Sequence, residues 1–140
     1  METADILIVD DDPQVAKSIT RALRTTGYRI ESARNGEEAL QRVSEIAFKV
    51  IVSDVKMSKM DGFKLMDEIH KTDADMTRII LSGHSDVELI LRLVNEKGID
   101  KYLIKPWEND HLILAIDKCI ELYNCRRQSG ERPSTTNSES

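Results

Sequence analysis

No stretch of this sequence approaches the roughly 20 consecutive apolar residues that a membrane helix needs. Nothing like a secretory signal stands at the start: Met1-Glu2-Thr3-Ala4-Asp5 carries no basic region, and the apolar run Ile6 to Val9 is too short for a signal core. Basic residues do not predominate. With 25 acidic against 20 basic side chains, the formal net charge is −5, which offers no broad basic face for nucleic acid. Cysteine is scarce: Cys119 and Cys125 alone make neither a disulfide framework nor a zinc site. Neither G-x-G-x-x-G nor a P-loop occurs at the first turn, which argues against a nucleotide-binding domain. A cytoplasmic protein with reduced thiols, and with no direct hold on nucleic acid or membrane, is the expectation.

What is present suits one globular domain. The chain has 140 residues, 40 % of them hydrophobic and 32 % charged, enough for a core and against wholesale disorder. Ile6-Leu7-Ile8-Val9 is a short, wholly apolar run and reads as a strand buried on both faces. Asp12-Pro13 reads as a helix start, Asp12 capping and Pro13 in the first helical position. Val15, Ile19, Ala22 and Leu23 give that helix its apolar face, and Gly27 its stop. Tyr28 to Ala33 reads as a second strand. Asn35 and Glu38 are spaced as a capping box for a second helix, whose apolar face is Ala39, Leu40, Val43 and Ile46 or Ala47. Val50-Ile51-Val52 is a third strand ending on Ser53-Asp54. Helix, strand and helix follow over Gly62 to Lys71, Ile79 to Leu81 and Asp86 to Lys97. Tyr102 to Ile104 is a fifth strand ending on Lys105-Pro106, and Glu108 to Arg127 the last helix. The folded domain is expected over residues 1–127. Residues 128–140 are polar and Ser/Thr-rich and read as a disordered tail or linker.

Five strands alternating with five helices predict an α/β fold, a doubly wound five-stranded parallel sheet covered on both faces. In such sheets functional groups gather beyond the carboxyl ends of the strands. The strand ends here carry Asp10-Asp11, Asp54, Ser82-Gly83 and Lys105. Each has a plainer reading alone: solvated loop acids, a turn residue, a cap, a surface lysine. Their recurrence at successive strand exits is harder to set aside. Carboxylates brought together repel unless a cation intervenes, and oxygen ligands without His or Cys suit a hard ion such as Mg²⁺. A lysine and a hydroxyl beside them suit a phosphoryl group, and an aspartate can itself accept one as an acyl phosphate.

These residues resemble the receiver domain of bacterial response regulators in two-component signalling. The matching segments are Ile6 to Pro13, Val52 to Gly62, Leu81-Ser82-Gly83 and Tyr102 to Trp107. The resemblance runs from Asp5 to about Tyr123, and implies a flavodoxin-like sheet. It implies Asp54 as phosphoacceptor, taking its phosphoryl group from a histidine kinase or phosphotransfer protein. Mg²⁺ would be held by Asp10 (through water), Asp11, Asp54 and the backbone carbonyl of Lys56. Ser82 and Lys105 would bind phosphoryl oxygens, with the Lys105-Pro106 bond cis. Ser82 and Tyr102 would form the switch that alters a face for a downstream effector domain or partner, or for a homodimer through the fourth helix, fifth strand and fifth helix. Lys56 and His84 fall where the family tunes the lifetime of the phosphoryl group.

The sequence departs from the family in two places: Ser58 stands where proline is usual, and Trp107 where phenylalanine is usual. The stretch Asn95 to Trp107 resembles receivers that precede cyclic-di-GMP phosphodiesterase or transcriptional-activator domains. His70 and His111 lack clustered partners and read as surface residues, and Cys119 and Cys125 as packing or exposed positions. Two other classes stay open. A Mg²⁺-dependent phosphatase would need a substrate pocket and commonly a second Asp two residues after Asp54, where Lys56 stands. A pure interaction module would have no need of the intact acidic pair, acceptor, hydroxyl and lysine.

Overall fold

The computed structural model describes residues 2–55, 62–83 and 87–129, without the side chains of Val87, Leu89, Leu93, Lys97 and Ser129. Five parallel strands form one sheet in the order β2-β1-β3-β4-β5. The strands are β1 (Glu2–Val9), β2 (Ile30–Ala33), β3 (Ile46–Asp54), β4 (Thr77–Ser82) and β5 (Lys101–Ile104). The helices are α1 (Pro13–Ala22), α2 (Gly36–Glu45), α3 (Gly62–Thr72), α4 (Val87–Lys97) and α5 (Asn109–Ser129).

Alternation along β1 explains the two layers. Ile6 and Ile8 point into a core shared with Ile19 of α1 and Leu112, Ile116 and Cys119 of α5. Leu7 and Val9 point the other way, against Ala39 and Val43 of α2, Leu65 and Ile69 of α3 and Ile90 of α4. A strand buried on both sides has no polar face, which is why its apolar run is unbroken.

The helix signals act as expected. The Gln14 N–H donates to Asp12 Oδ1 (2.9 Å), Pro13 opens α1, and Gly27 takes φ 80° after a 3-10 turn at Arg24–Thr26. The Glu38 N–H donates to Asn35 Oδ1 (2.8 Å); the Glu38 carboxylate reaches the Arg34 N–H (2.6 Å) rather than that of Asn35.

Several boundaries differ from expectation. Ile46 and Ala47 belong to β3, not to the apolar face of α2. Ile46 is already extended (φ −131°, ψ 134°) while its N–H still donates to Arg42 O, so helix passes into strand without a loop. Pairing of Glu2 with Ile46 and Thr3 with Ala47 supplies the backbone bonds that lengthen β1 and β3 beyond their apolar centres. β2 begins at Ile30; Tyr28 packs against the α1/α5 core and donates its hydroxyl to Asp117. α5 runs to Ser129, two residues into the expected tail. Asp86, and residues 130–140, lie outside the described residues.

Candidate functional site

All four motifs meet at the carboxyl edge of the sheet. Asp10 follows β1, Asp54 ends β3, Ser82 ends β4 and Lys105 follows β5. The central pairing β1-β3-β4-β5 makes them neighbours: Val9 lies beside Ser53, Asp54 beside Leu81, and Ser82 beside Ile104.

Lys105 Nζ lies 2.7 Å from Asp54 Oδ2, both groups partly shielded from water. The Lys105-Pro106 peptide is cis, and the Lys105 N–H donates to the Ser82 carbonyl (2.7 Å), tying β5 to the end of β4. Ser82 is buried, and its hydroxyl donates to the Gly83 carbonyl (3.0 Å).

Asp10 is only 2 % exposed. One oxygen accepts the Asp12 N–H (2.8 Å), while Oδ2 is buried with no hydrogen-bond partner among the described residues. Burial pushes its carboxyl up to about 6; the Asp12 N–H opposes this, the Asp54 charge adds to it, Lys105 subtracts and Asp11 adds. Asp11 is exposed, as is Asp12, whose side chain is committed to the helix cap.

A buried, unsatisfied carboxylate oxygen is costly, and a cation relieves it. Asp10, Asp11 and Asp54 offer oxygens alone, the donor set for a hard divalent ion, so these residues fit Mg²⁺. They do not form a ready cage: among the described residues no group of three carboxylate, imidazole or thiol side chains closes around a point. That suits an ion that retains waters and takes only one or two carboxylates from the protein.

Lys56 and His84 lie outside the described residues. Tyr102 is exposed on β5. His70 and His111 are exposed, and His111 lies 3.7 Å from Glu108. Cys119 is buried, its thiol pushed up to about 11 chiefly by burial, and Cys125 is exposed. The edge also carries a shallow cavity of about 250 Å³, lined by Val15, Ser18, Lys105, Pro106, Trp107 and Asn109.

Two contributors escaped the sequence reading. The buried Ser53 hydroxyl donates to the Asp54 carbonyl (2.9 Å), and the Gly62 N–H donates to the Val55 carbonyl (3.0 Å), so the backbone at Asp54 and Val55 is held at both residues. Gly62 was legible only as a helix start; a serine before an aspartate carries no signal of its own.

Comparison with known proteins agrees with this geometry. The family model for the response regulator receiver domain matches residues 6–117. The transcriptional regulatory protein ZraR of Klebsiella oxytoca is 34 % identical over 119 residues, 85 % of this chain and 27 % of that protein. GlrR of Escherichia coli (strain K12), also named a transcriptional regulatory protein, is 34 % identical over 84 % of this chain and 26 % of its own length. This chain therefore spans about a quarter of the curated relatives it matches. A crystal structure of a response regulator receiver domain protein from Clostridium thermocellum superposes with a TM-score of 0.81 at 31 % identity, covering 87 % of this chain and 98 % of that one. With its five-stranded flavodoxin-like sheet, its aspartates at one edge and this match over most of its length, the chain belongs to the response regulator receiver domain family.

Proposed function

We propose that Asp54 is the phosphoacceptor of this domain, and that the domain is the phosphorylation-controlled input of a two-component response regulator. The observation that carries this is the 2.7 Å contact of Lys105 Nζ with Asp54 Oδ2, together with a buried Asp10 oxygen that has no hydrogen-bond partner among the described residues. The donor is a histidine kinase or a phosphotransfer protein in the cytoplasm. An Asp54 carboxylate oxygen forms the new P–O bond as the donor's P–N bond breaks; the electron pair of that bond stays on the departing nitrogen. Asp10, Asp11, Asp54 and the Lys56 carbonyl would hold Mg²⁺, which supplies neutralising charge for the phosphoryl oxygens when bound. Lys105 holds Asp54 in place through their 2.7 Å contact, then passes its N–H bond to a phosphoryl oxygen. Ser82 gives up its bond to Gly83 O for another such oxygen.

That exchange draws the end of β4 towards the acceptor and lets Tyr102 turn inward. The face of α4, β5 and α5 then changes for its partner, which is a downstream effector domain, a separate protein or a second copy. The chain catalyses only its own phosphorylation and dephosphorylation. In the latter, water attacks the phosphorus and the Asp54 carboxylate leaves; the resemblance gives Lys56 and His84 the positions that tune this step, and a cationic lysine shields rather than activates water, so the phosphoryl group is long-lived.

Intact mass after treatment with acetyl phosphate and Mg²⁺ tests the reading. One phosphoryl group on the wild type and none on Asp54→Ala is expected, with none on either when Mg²⁺ is chelated. Full labelling of Asp54→Ala overturns it. Replacement of Lys56 by Asn should shorten the lifetime of the phosphorylated form.

A further inference from the structure

At the opposite edge of the sheet lies a second charged cluster that phosphoryl transfer does not use. Arg78, the second residue of β4, is buried. Its guanidinium donates to the carbonyl of Met66 in α3 (3.1 Å) and to that of Gly98, just past the end of α4 (2.8 Å). Gly98 takes φ 70°, and a Cβ there would lie 3.2 Å from the guanidinium, so the fit is close. The Arg78 N–H donates to Asp100 Oδ2 (2.9 Å). Asp100, itself well shielded, accepts Arg126 of α5 on Oδ1 (2.6 Å) and more weakly on Oδ2 (3.4 Å).

We infer that the Asp100–Arg126 pair is where a shape change at the acceptor edge is handed to the end of α5, and so to any chain that follows it; this rests on the phosphoacceptor reading above. Two rigid rods connect the edges. α3 starts at Gly62, hard against the Asp54 backbone, and carries Met66. α4 starts five residues after Ser82 and ends beside Gly98. α3 therefore has one end at the Asp54 backbone and meets Arg78 through Met66, while the chain leaving α4 meets it through Gly98.

Asp100 is the shielded partner and Arg126 about a third exposed, so separating them costs most at Asp100, whose carboxylate would lose its guanidinium partner in a site with little water. A shift of Gly98 or Asp100 must carry Arg126 with it or release it. Arg127 sits differently. It pairs with Asp75 (3.0 Å) and Asp73 (3.8 Å) in the turn between α3 and β4, and lies 5.3 Å from the Tyr123 ring centroid, without touching the α4 exit. Arg127 anchors the helix end, whereas Arg126 reports on α4.

The test is amide hydrogen exchange across residues 123–129 of the full chain, with and without beryllofluoride and Mg²⁺ as a phosphoryl mimic. The wild type should change by about fivefold or more, the lower end of ordinary site-to-site coupling. Arg126→Gln should lose that change while Tyr102 still responds, Arg126→Lys should keep part of it, and Arg127→Gln should keep all of it. All four proteins should be labelled on Asp54 alike by acetyl phosphate. A full response in Arg126→Gln, its loss in Arg127→Gln, or a wild type that responds at Tyr102 but not at residues 123–129, overturns this inference alone. A wild type that is never labelled overturns the phosphoacceptor reading and this inference with it.

Discussion

A Cβ placed on Gly62 would lie 2.5 Å from the backbone carbonyl oxygen of Asp54 and 2.9 Å from Cα of Val55. Both obstacles are main chain, so no side-chain rotation relieves them. Gly62→Ala must push the start of α3 away from Asp54 or displace Asp54 itself. Overpacking of this kind costs about 1–3 kcal/mol. The expected outcome is a lower urea midpoint together with slower labelling by acetyl phosphate. Gly83→Ala is the control, since among the described residues nothing lies within 4 Å of a Cβ there. It should leave stability within about 0.5 kcal/mol of the wild type.

The buried carboxyl of Asp10 predicts how stability depends on pH in the absence of metal. Its folded value is about 6 against an ordinary 3.8, so the folded state holds the proton more tightly. The stabilisation from the protonated form is complete below about pH 4 and lost as pH rises through about 6. A shift of that size corresponds to roughly 3 kcal/mol. Urea unfolding in EDTA should therefore show Asp10→Asn more stable than wild type at pH 7.5, with the gap closing towards pH 4. Saturating Mg²⁺ should narrow the gap at pH 7.5 by stabilising the wild type alone. A gap independent of pH would show that Asp10 pays no burial penalty as a charged group.

Adjacent aspartates have separate duties here. Like-charge repulsion alone would have made Asp11 a source of instability in the metal-free site; Asp11 is exposed, and the strain falls on buried Asp10. Asp12 caps α1 through the Gln14 N–H. Asp12→Ala should cost about 1 kcal/mol, the usual loss for such a cap, with little effect on Mg²⁺ affinity. Asp11→Asn should do the reverse: nearly unchanged stability and weaker Mg²⁺ binding, followed by the fluorescence of Trp107 beside Lys105 and Pro106. Equal loss of affinity in both variants would contradict this division.

The ease with which each part could be read from sequence follows from how local its cause is. β1, β3 and β4 announce themselves because strands buried on both faces need unbroken apolar runs, and the site residues because each follows directly on such a run. The join at Ile46 was hidden. Ala39, Val43 and Ile46 keep helical spacing, while Ile46 and Phe48 keep strand spacing, and only the pairing of Glu2 with Ile46 decides between them. The Arg78–Asp100–Arg126 cluster was invisible for a related reason. An arginine beginning a strand reads as a surface residue until Met66, Gly98 and Asp100, far apart in sequence, are seen to enclose it.

The last expectation concerns association. Leu91 on α4 is 44 % exposed, Tyr102 on β5 37 % and Leu114 on α5 55 %, an apolar trio on the face that phosphorylation is proposed to alter. Charges around it are mixed: exposed Glu88, Arg92 and Glu96 lie on α4, exposed Lys101 on β5, and exposed Asp110, Asp117 and Lys118 on α5. A two-fold partner that set α4 of one copy against β5 and α5 of the other would bury the trio twice, since an isologous contact repeats each pairing. Sedimentation of the wild type should shift towards dimer when beryllofluoride and Mg²⁺ are added. Burying one leucine contributes about 1.5–3 kcal/mol, so Leu114→Asp should weaken association by tenfold or more. Labelling of Asp54 should be untouched, because Leu114 is exposed on α5 and is not among the residues gathered at the strand ends. A monomer in every condition would exclude self-association through this face and leave the separate effector as its partner.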